Sequence, residues 1–592
     1  MHSKVTTQIL TICVLTICTT ALWPLPLNYT HGSTYLWLSP DVTFSYQPNS
    51  GVNLTASALY ANSTSQNATN YKASTGLDSY SIVQAAIART QDELSNDGFV
   101  PWKFHPRNSF FEPPSNVSYR TITNVTIQQN STDPANVLKP LAGAVDESYS
   151  IVIAINGAVM INAVSSVGII RALETFSQLF YTTADGSSVY TNLAPVYIED
   201  APKFQYRGLN MDIARSPFTP DDIMRTIDAL AYNKFNILHL HATDAQSWTL
   251  QIPALPPLAD LGAYMKGLSY SPGDLENIQS YGAYRGVQVI IETDVPGHTA
   301  AIGLSYPDLV AALNVQPGWS NYSAEPPTGQ LKLNDTAVYD FLDKLWADLL
   351  PRVYPFSAYF HTGGDEVNAN VYGLDPTVRS NDTKVIQPLL QKMIDHNHAK
   401  VRAAGMARVV WEERLLEWNL TLGADVVVQT WQTDTAVANV VAKGHKALAG
   451  DYNYWYLDCG RGQWIDFSQS TAEAAWPFSD YCTPTKNWRL MYTYDPLAGV
   501  PANATKLVLG GEVHIWSEQV DGVNLDNMVW PRACAAAEVL WSGSKDASGK
   551  NRSQITASPR LGEMRERMVQ RGIGAGPVQM IYCTQNGTQC TL

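Results

Sequence analysis

The chain has 592 residues, of which 45% are hydrophobic and only 16% are charged. It is therefore long enough for two or three domains with large cores, and disorder throughout is excluded. The formal net charge is −14 and no basic patch stands out, which argues against nucleic acid and anionic membranes as partners. This balance is compatible with a neutral substrate, and the 16 Trp and 30 Tyr residues suit either core packing or sugar stacking.

Residues 1–21 are predicted to be a signal peptide. Lys4 precedes an apolar stretch at 9–18, and small residues continue to Ala21, where cleavage is expected. A membrane anchor is the alternative, but the apolar run is short for a span. Fourteen Asn-x-Ser/Thr sequons support passage through a secretory pathway, so we predict a secreted protein of the extracellular space or cell wall. The sequons expected to carry glycans include Asn321, Asn334, Asn381, Asn419 and Asn503.

Five of the seven cysteines remain once the signal peptide is removed, so one must be unpaired or intermolecular. Cys583 and Cys590 close a small loop near the end of the chain, and Cys459 and Cys482 flank an aromatic loop; both pairs are predicted disulfides. Cys534 lies in an apolar helical run and is expected to be a buried free thiol. No spacing suggests a metal site, and no cofactor is predicted.

Residues 22–200 are predicted to form a small α+β domain. Residues 22–48 could supply an edge strand, and residues 49–75, rich in Ser, Thr and Asn, are typical of a linker or processed segment, which we place within 49–140. Apolar periodicity predicts helices and strands in the remainder. The predicted helices are 81–94 and 166–181, and the predicted strands are 121–129, 149–155 and 159–163.

Residues 201–592 alternate short apolar segments with helices, which predicts a (β/α)8 barrel with insertions, followed by a C-terminal helix and tail. The first barrel helix has Thr219 at its N-cap and Pro220 at its first position, and the last helix is expected over 558–572. The eight predicted strands are 208–212, 236–241, 287–293, 358–361, 408–411, 426–430, 446–449 and 507–511.

The hexapeptide at 361–366, His-Thr-Gly-Gly-Asp-Glu, follows one of these strands. Its two glycines permit backbone conformations closed to other residues, so that Asp365 and Glu366 can both reach one pocket. Two carboxylates in different environments are the usual catalytic pair for general acid/base cleavage of a glycosidic bond. A turn with two solvated acids is the plainer interpretation of this motif taken alone.

The active site of such a barrel lies at the carboxyl ends of its strands, and every predicted strand ends near a chemically capable side chain. Packing or a solvated loop would explain any single one of these residues, but a complete set at one end indicates a site. The candidates are Arg215, His239, His241, Asp244, Asp294, His298, His361, Asp365, Glu366, Trp411, Trp431, Tyr456, Asp458, Trp516 and Glu518.

At these positions the chain resembles the β-N-acetylhexosaminidases of glycoside hydrolase family 20, and it is most similar to their secreted fungal branch. The matching stretches are 207–215, 233–244, 294–298, 361–366, 455–458, 510–518 and 530–532, and the domain in front matches the family's N-terminal domain. The chain departs from many relatives at Leu240, where they have Trp, and at Ala245, where they have a second acid. Ala245 indicates that Asp244 is the functional acid.

The resemblance implies that Glu366 is the general acid and then the general base. Asp365 would orient the 2-acetamido group of the substrate, whose oxygen attacks the anomeric carbon and forms an oxazoline-type intermediate, and Tyr456 would donate to that oxygen. His298 and Asp244 would support Glu366. The residues implied to bind substrate are Arg215, His241, Asp294, His361, Trp411, Trp431, Asp458, Trp516 and Glu518.

The resemblance also implies an exo-acting, retaining enzyme that releases terminal GlcNAc or GalNAc from chitooligosaccharides or glycans. It further implies a homodimer and, in some relatives, a bound cleaved propeptide. One rival is a metal-dependent amidohydrolase, since His239 and His241 at a strand end could bind zinc; that class normally has the pair on the first strand and a lysine after the fourth. The others are a sugar-binding protein without catalysis and a family member that releases a disaccharide.

Overall fold

The computed structural model describes residues 22–49 and 77–592. The predicted signal peptide, most of the predicted linker and the sequons at Asn53, Asn62 and Asn67 lie outside the described residues. Residues 77–140 carry the predicted helix and strand of the first domain, and the linker or processed segment stays a prediction. Ile82, Val83 and Ile122 are buried there.

A six-stranded mixed sheet with two helices on one face occupies the residues before the barrel. Strand β1 (Asn28–Gln47) was predicted at an edge. Its halves pair instead with different strands, β2 (Thr121–Gln129) in parallel and β6 (Val189–Asp200) in antiparallel orientation. Its 20 residues and the register break after Leu38 make this possible. The elements are β1 (Asn28–Gln47), α1 (Ser79–Asn96), β2 (Thr121–Gln129), β3 (Tyr149–Ile153), β4 (Val159–Ala163), α2 (Ser166–Ser177), β5 (Tyr181–Thr182) and β6 (Val189–Asp200).

Eight parallel strands close into a barrel in the order β7-β8-β9-β12-β13-β14-β15-β16, which confirms the predicted fold class. Strand β16 runs four residues beyond its predicted end, because Glu512 and His514 continue it with polar side chains that are completely buried. Strands β10 and β11 form a separate pair in the insertion after β9. The strands are β7 (Tyr206–Asp212), β8 (Ile237–His241), β9 (Gln288–Glu292), β10 (Val310–Ala311), β11 (Gln330–Leu331), β12 (Tyr359–His361), β13 (Ala407–Trp411), β14 (Val427–Gln429), β15 (Lys446–Ala449) and β16 (Val508–Ile515).

The helices around the barrel begin with α3, whose N-terminus is as predicted: the Thr219 hydroxyl accepts from Asp222 and Pro220 is the first helical residue. Helix α16 begins at Gln554 rather than at Ser558, because Ser553 caps it and Pro559 is accommodated in its second turn. The remaining bounds are α3 (Pro220–Tyr232), α4 (Pro257–Gly262), α5 (Pro272–Ala283), α6 (Thr336–Val353), α7 (Ala369–Leu374), α8 (Thr383–Ala403), α9 (Glu413–Leu416), α10 (Ala436–Ala442), α11 (Tyr452–Trp455), α12 (Gln469–Ala472), α13 (Trp488–Met491), α14 (Leu525–Val529), α15 (Arg532–Ser542), α16 (Gln554–Gln570) and α17 (Ile581–Gln585).

The two parts of the chain are joined by buried ion pairs. Lys234 lies 3.0 Å from Asp200, and Glu147 accepts from both Arg171 and Arg207 at 2.9 and 2.6 Å. Trp23 is fully buried in the hydrophobic cluster of the barrel helices, although it precedes the sheet. The sheet domain therefore packs directly against the barrel through buried contacts.

Apolar residues fill the lowest layer inside the barrel, including Tyr206, Ile290 and Tyr359. The layers above are polar: His239, Glu292, His361, Gln429, Glu512 and His514 are all buried there. The barrel interior therefore changes from apolar to charged towards the carboxyl ends of the strands, where the site lies.

Candidate active site

A pocket of about 350 Å³ opens at the carboxyl ends of the barrel strands. Of the 14 residues predicted as catalytic or substrate-binding, ten line this pocket. They are Arg215, His298, Asp365, Glu366, Trp411, Trp431, Tyr456, Asp458, Trp516 and Glu518.

The backbone after β12 is folded so that both adjacent acids face the pocket. Gly363 and Gly364 have φ of 61° and 108°, and a Cβ atom on Gly364 would lie 1.8 Å from Nε of Arg414. Only glycine fits there. Glu366 itself has φ of 49°, a conformation that costs free energy for a side-chain-bearing residue and is found mainly at functional sites.

His298 connects Glu366 to a buried carboxylate. Its Nε2 lies 3.3 Å from Oε2 of Glu366, and its Nδ1 lies 3.1 Å from Oδ1 of Asp244. Burial opposes a charge on His298, but Asp244 and Asp365 outweigh it and raise the pKa of the imidazole well above its usual value. The ring is therefore a cation that lies beside Glu366.

Asp244 is completely buried, yet it remains a carboxylate. Its Oδ2 lies 2.8 Å from both Nη2 of Arg215 and Nε2 of His241. Burial works against the charge, but Arg215 and His298 hold the pKa of Asp244 well below its usual range. Asp244 thus keeps His298 protonated and correctly turned.

Asp365 lies beside a second carboxyl that carries a proton. Burial and then the charge of Asp365 raise the pKa of Asp294 well above its usual value, and a carboxyl oxygen of each lies within 4.8 Å of the other. Oδ1 of Asp294 also accepts from the backbone N–H of Gly364 at 2.6 Å. The protonated Asp294 therefore adds no second negative charge beside Asp365.

Aromatic side chains form the walls. The rings of Trp431 and Tyr456 are stacked, with centroids 6.2 Å apart and an angle of 14° between their planes. The indole of Trp431 donates to Oε1 of Glu413 at 3.0 Å, and the rings of Tyr456 and Trp516 lie 6.2 Å apart at an angle of 59°. Burial raises the pKa of Tyr456 well above its usual value, so its hydroxyl is a neutral donor.

Polar groups surround the outer end of the pocket. Burial raises the pKa of Asp458 to about 7, and its Oδ1 accepts from the backbone N–H of Trp516 at 3.3 Å. Burial, followed by the charge of Glu325, raises the pKa of Glu518 well above its usual range. Arg215 lies 3.4 Å from Glu325 and covers the ring of Trp516. Carboxyl and guanidinium groups together suit a sugar's hydroxyls, which both donate and accept.

Four predicted residues lie beneath the pocket rather than on its surface. His241, Asp294 and His361, which were expected to bind substrate, are at most 1% exposed and bond to other protein groups. They occupy positions on strands or directly after them that point into the barrel, where the pocket floor covers them. Asp244, predicted as a catalytic residue, is buried with them.

Sequence reasoning missed three groups at the site. Glu325 and Tyr481 come from loops far from any strand end and line the pocket, and Glu413 supports Trp431 from below. The aromatic composition of residues 459–482 was the only signal for the second of these loops, which contributes Trp464 and Tyr481.

The histidine pair that suggested zinc is held by carboxylates of the barrel interior. Both ring nitrogens of His241 face carboxylates, Glu292 at 2.6 Å and Asp244 at 2.8 Å. Nδ1 of His239 lies 3.0 Å from Oε2 of Glu512, which is a hydrogen-bond distance. These groups fit a hydrogen-bonded network.

The cysteines pair as predicted. Cys459 is bonded to Cys482 and Cys583 to Cys590, while Cys534 is buried and free. The predicted glycosylation sites Asn321, Asn334, Asn381, Asn419 and Asn503 are all exposed. In the part of the chain that the structure describes, no helix is both long enough and apolar enough to cross a membrane.

Comparison with known proteins agrees with this geometry. Residues 204–544 match the model of the glycosyl hydrolase family 20 catalytic domain, and residues 22–179 match a model described as beta-acetyl hexosaminidase like. A beta-hexosaminidase of Arthroderma benhamiae is 44% identical over 97% of both chains, and one of Emericella nidulans is 32% identical over 79% of this chain and 81% of its own. Among solved structures, the Streptomyces plicatus N-acetyl-beta-hexosaminidase shares the fold with a TM-score of 0.66, at 21% identity over 94% of this chain and 97% of its own. These matches confirm the resemblance inferred from the motifs. The chain therefore belongs to glycosyl hydrolase family 20, and it is a glycosidase of the β-hexosaminidase type.

Proposed function

We propose that the enzyme releases terminal, non-reducing GlcNAc or GalNAc from chitooligosaccharides and glycans with retention of configuration, using the substrate's own acetamido oxygen as the nucleophile. One observation carries this proposal: Asp365 and Glu366 face the same pocket from adjacent positions but have different partners. Asp365 lies against the protonated Asp294, and Glu366 lies against the cationic His298.

In the first step Glu366 protonates the glycosidic oxygen. The cationic His298, whose charge Asp244 stabilises, lies beside Glu366 and stabilises the carboxylate that this transfer leaves. Asp365 accepts the acetamido N–H and stabilises the positive charge that develops as the acetamido oxygen bonds to C1. The bond from C1 to the leaving oxygen breaks, and an oxazolinium ion remains in the pocket.

In the second step Glu366, now a carboxylate, takes a proton from water as that water attacks C1, and the oxazoline ring opens. Tyr456 donates to the acetamido oxygen throughout. Trp411, Trp431 and Trp516 surround the methyl group and exclude other water from the intermediate. Holding the internal nucleophile in place removes much of the entropic barrier.

The test compares nitrophenyl β-glycosides of GlcNAc, GalNAc and glucose. The first two are expected to be hydrolysed and the glucoside to be inert, because it lacks the acetamido group. Asp365→Asn is expected to weaken binding of GlcNAc-thiazoline, an analogue of the intermediate. Comparable hydrolysis of the glucoside, or unchanged thiazoline affinity, would contradict substrate assistance.

We also propose that the protein is secreted, glycosylated and dimeric. The N-terminal apolar stretch and the exposed sequons support secretion and glycosylation, and the resemblance supports a homodimer and a processed segment within residues 49–75. N-terminal sequencing is expected to show that the mature protein begins near Leu22. Endoglycosidase treatment is expected to lower the mass of the protein. Light scattering is expected to give a mass near twice that of one chain. A start at Met1, an unchanged mass or a monomer would contradict the respective part.

A further inference from the structure

Glu292, the last residue of β9, is a completely buried carboxylate that the proposed mechanism does not use. Its two oxygens face different parts of the site. Oε1 accepts from the indole N–H of Trp411 at 2.7 Å and lies 3.1 Å from Nδ1 of His361. Oε2 lies 2.6 Å from Nδ1 of His241 and 3.1 Å from Nε2 of His239.

The Oε1 side fixes a wall of the pocket. Trp411 is only 1% exposed and presents one edge to the pocket, while its N–H points down into the barrel. An indole has one donor, and here that donor meets a charged acceptor, which gives a stronger and more directional bond than a neutral one. The angle at which Trp411 faces the bound acetamido group is therefore set from below by Glu292.

The Oε2 side leads to the acid. His241 bonds Glu292 through Nδ1 and Asp244 through Nε2 at 2.8 Å; Asp244 in turn lies 3.1 Å from His298, and His298 lies 3.3 Å from Glu366. Every link is within hydrogen-bond reach or slightly beyond it. The chain of contacts that holds Glu366 thus extends through the barrel interior to the same carboxylate that holds Trp411.

We propose that Glu292 is a positioning residue that sets the acetamido pocket and the acid/base chain together, one with each oxygen. The inference rests on the proposed substrate-assisted function. It explains why this carboxylate lies between several polar partners instead of packing among apolar side chains, as barrel-interior positions usually do.

Glu512 on β16 provides a matched control. It is equally buried and lies 3.0 Å from Nδ1 of the same His239. Its other contacts are with the Tyr206 hydroxyl at 2.5 Å and Gln429 at 2.8 Å, away from Trp411 and His241. Loss of either charge removes a partner of His239. Only the loss of Glu292 also removes the partner of Trp411 and the partner of His241.

The experiment measures two quantities on the purified enzyme: the Kd of GlcNAc-thiazoline, by calorimetry, and the ratio of kcat/KM for a nitrophenyl GlcNAc glycoside to that for chitobiose. The first reports the acetamido pocket. The second reports the acid, because the poorer leaving group depends more on protonation. Glu292→Gln is expected to weaken the thiazoline and to raise the ratio, each by about 10- to 100-fold. Glu512→Gln is expected to change neither by more than about twofold.

Two further variants test the contacts of the two Glu292 oxygens separately, and they remain informative if Glu292→Gln does not fold. Trp411→Phe removes the indole donor and is expected to weaken the thiazoline with little change in the ratio. His241→Asn is expected to raise the ratio with little change in thiazoline affinity. Equal effects of Glu292→Gln and Glu512→Gln, or no effect of His241→Asn on the ratio, would overturn the inference. If the wild-type enzyme itself fails to bind the thiazoline, the substrate-assisted mechanism fails instead, and the leaving-group ratio still tests the acid branch.

Discussion

Nε2 of His298 lies 3.3 Å from Oε2 of Glu366, and the two side chains meet although both residues have positive φ. The strain in both backbones places an imidazolium next to a carboxyl group that must gain and lose a proton in each turnover. The positive charge is therefore in place beside Glu366 without any rearrangement of the pocket.

Glu366→Gln is expected to lower kcat/KM for chitobiose by about 10²- to 10⁴-fold, because the amide cannot protonate the leaving oxygen. A dinitrophenyl glycoside, whose leaving group needs no acid, should retain much more activity in its first step. Steady-state and burst kinetics on both substrates measure this. The exposed Glu473→Gln is the control, and equal losses on the two substrates would contradict the role of Glu366.

Gly364→Ala is expected to reduce kcat/KM by more than about 100-fold and to lower the free energy of unfolding, because its Cβ would lie 1.8 Å from Arg414 and φ is 108°. Gly444→Ala is the matched control: its φ is 84°, but nothing lies within 4 Å of the added Cβ. That variant should cost only about 1 kcal/mol and leave kinetics unchanged. Similar kinetic losses in both variants would show that backbone strain alone, and not the contact with Arg414, is responsible.

Replacing Cys459 and Cys482 by Ser is expected to raise KM several-fold with a smaller change in kcat, since the loop they close supplies Trp464 and Tyr481 to the pocket. Loss of the cross-link should also lower stability by ~3 kcal/mol. Replacement of Cys583 and Cys590, whose loop spans only seven residues at the end of the chain, serves as the control and should leave KM unaltered. An unchanged KM in the first variant would show that the loop is held by its other contacts.

Glu412 is expected to make stability depend on pH. Burial raises the pKa of its carboxyl from 4.5 to about 7. As pH rises from about 4.5 to about 7 the unfolded chain loses this proton before the folded protein does, so the free energy of unfolding falls across that window and stays lower above it. The loss is at most about 3 kcal/mol.

Glu412→Gln keeps an acceptor for the backbone N–H groups of Trp431 and Gln432 and cannot ionise. The variant should therefore unfold at a higher temperature than the wild type at pH 8.5 and lose this advantage at pH 4. Calorimetry at both pH values measures the difference. A wild-type stability that rises between pH 4.5 and 7 relative to the variant would contradict the prediction.

Much of this arrangement could be predicted because the barrel strands are short apolar runs that end in polar residues. That pattern located the strands ending near Asp212, His241 and His361, and with them most of the pocket. It failed at β16, where Glu512 and His514 lie inside the barrel and look like the residues of a loop. Apolar periodicity cannot identify a buried layer that is itself charged.

Other features depend on contacts that no local pattern contains. His361 and Asp294 are chemically capable and lie at the right end of the barrel, yet they are one layer too deep to meet substrate. Glu325 reaches the pocket from a long insertion, and its position depends on how that insertion folds back onto Arg215. The sequence predicts which residues have suitable chemistry. How deeply each residue is buried, and how the loops fold over the barrel, decide which of them line the pocket.

Trp23, near the beginning of the described chain, is enclosed by residues from its far end. Its indole donates to the carbonyl of Cys534 at 3.0 Å and lies under the guanidinium of Arg560, which also bonds the carbonyl of Leu22. During synthesis this enclosure of Trp23 cannot form until α16 has been made, so Trp23 stays uncovered while the residues between them are added. Shortening the chain at either end should therefore produce the same defect, a nascent protein that stays bound to chaperones, even though the two deletions are more than 500 residues apart in sequence.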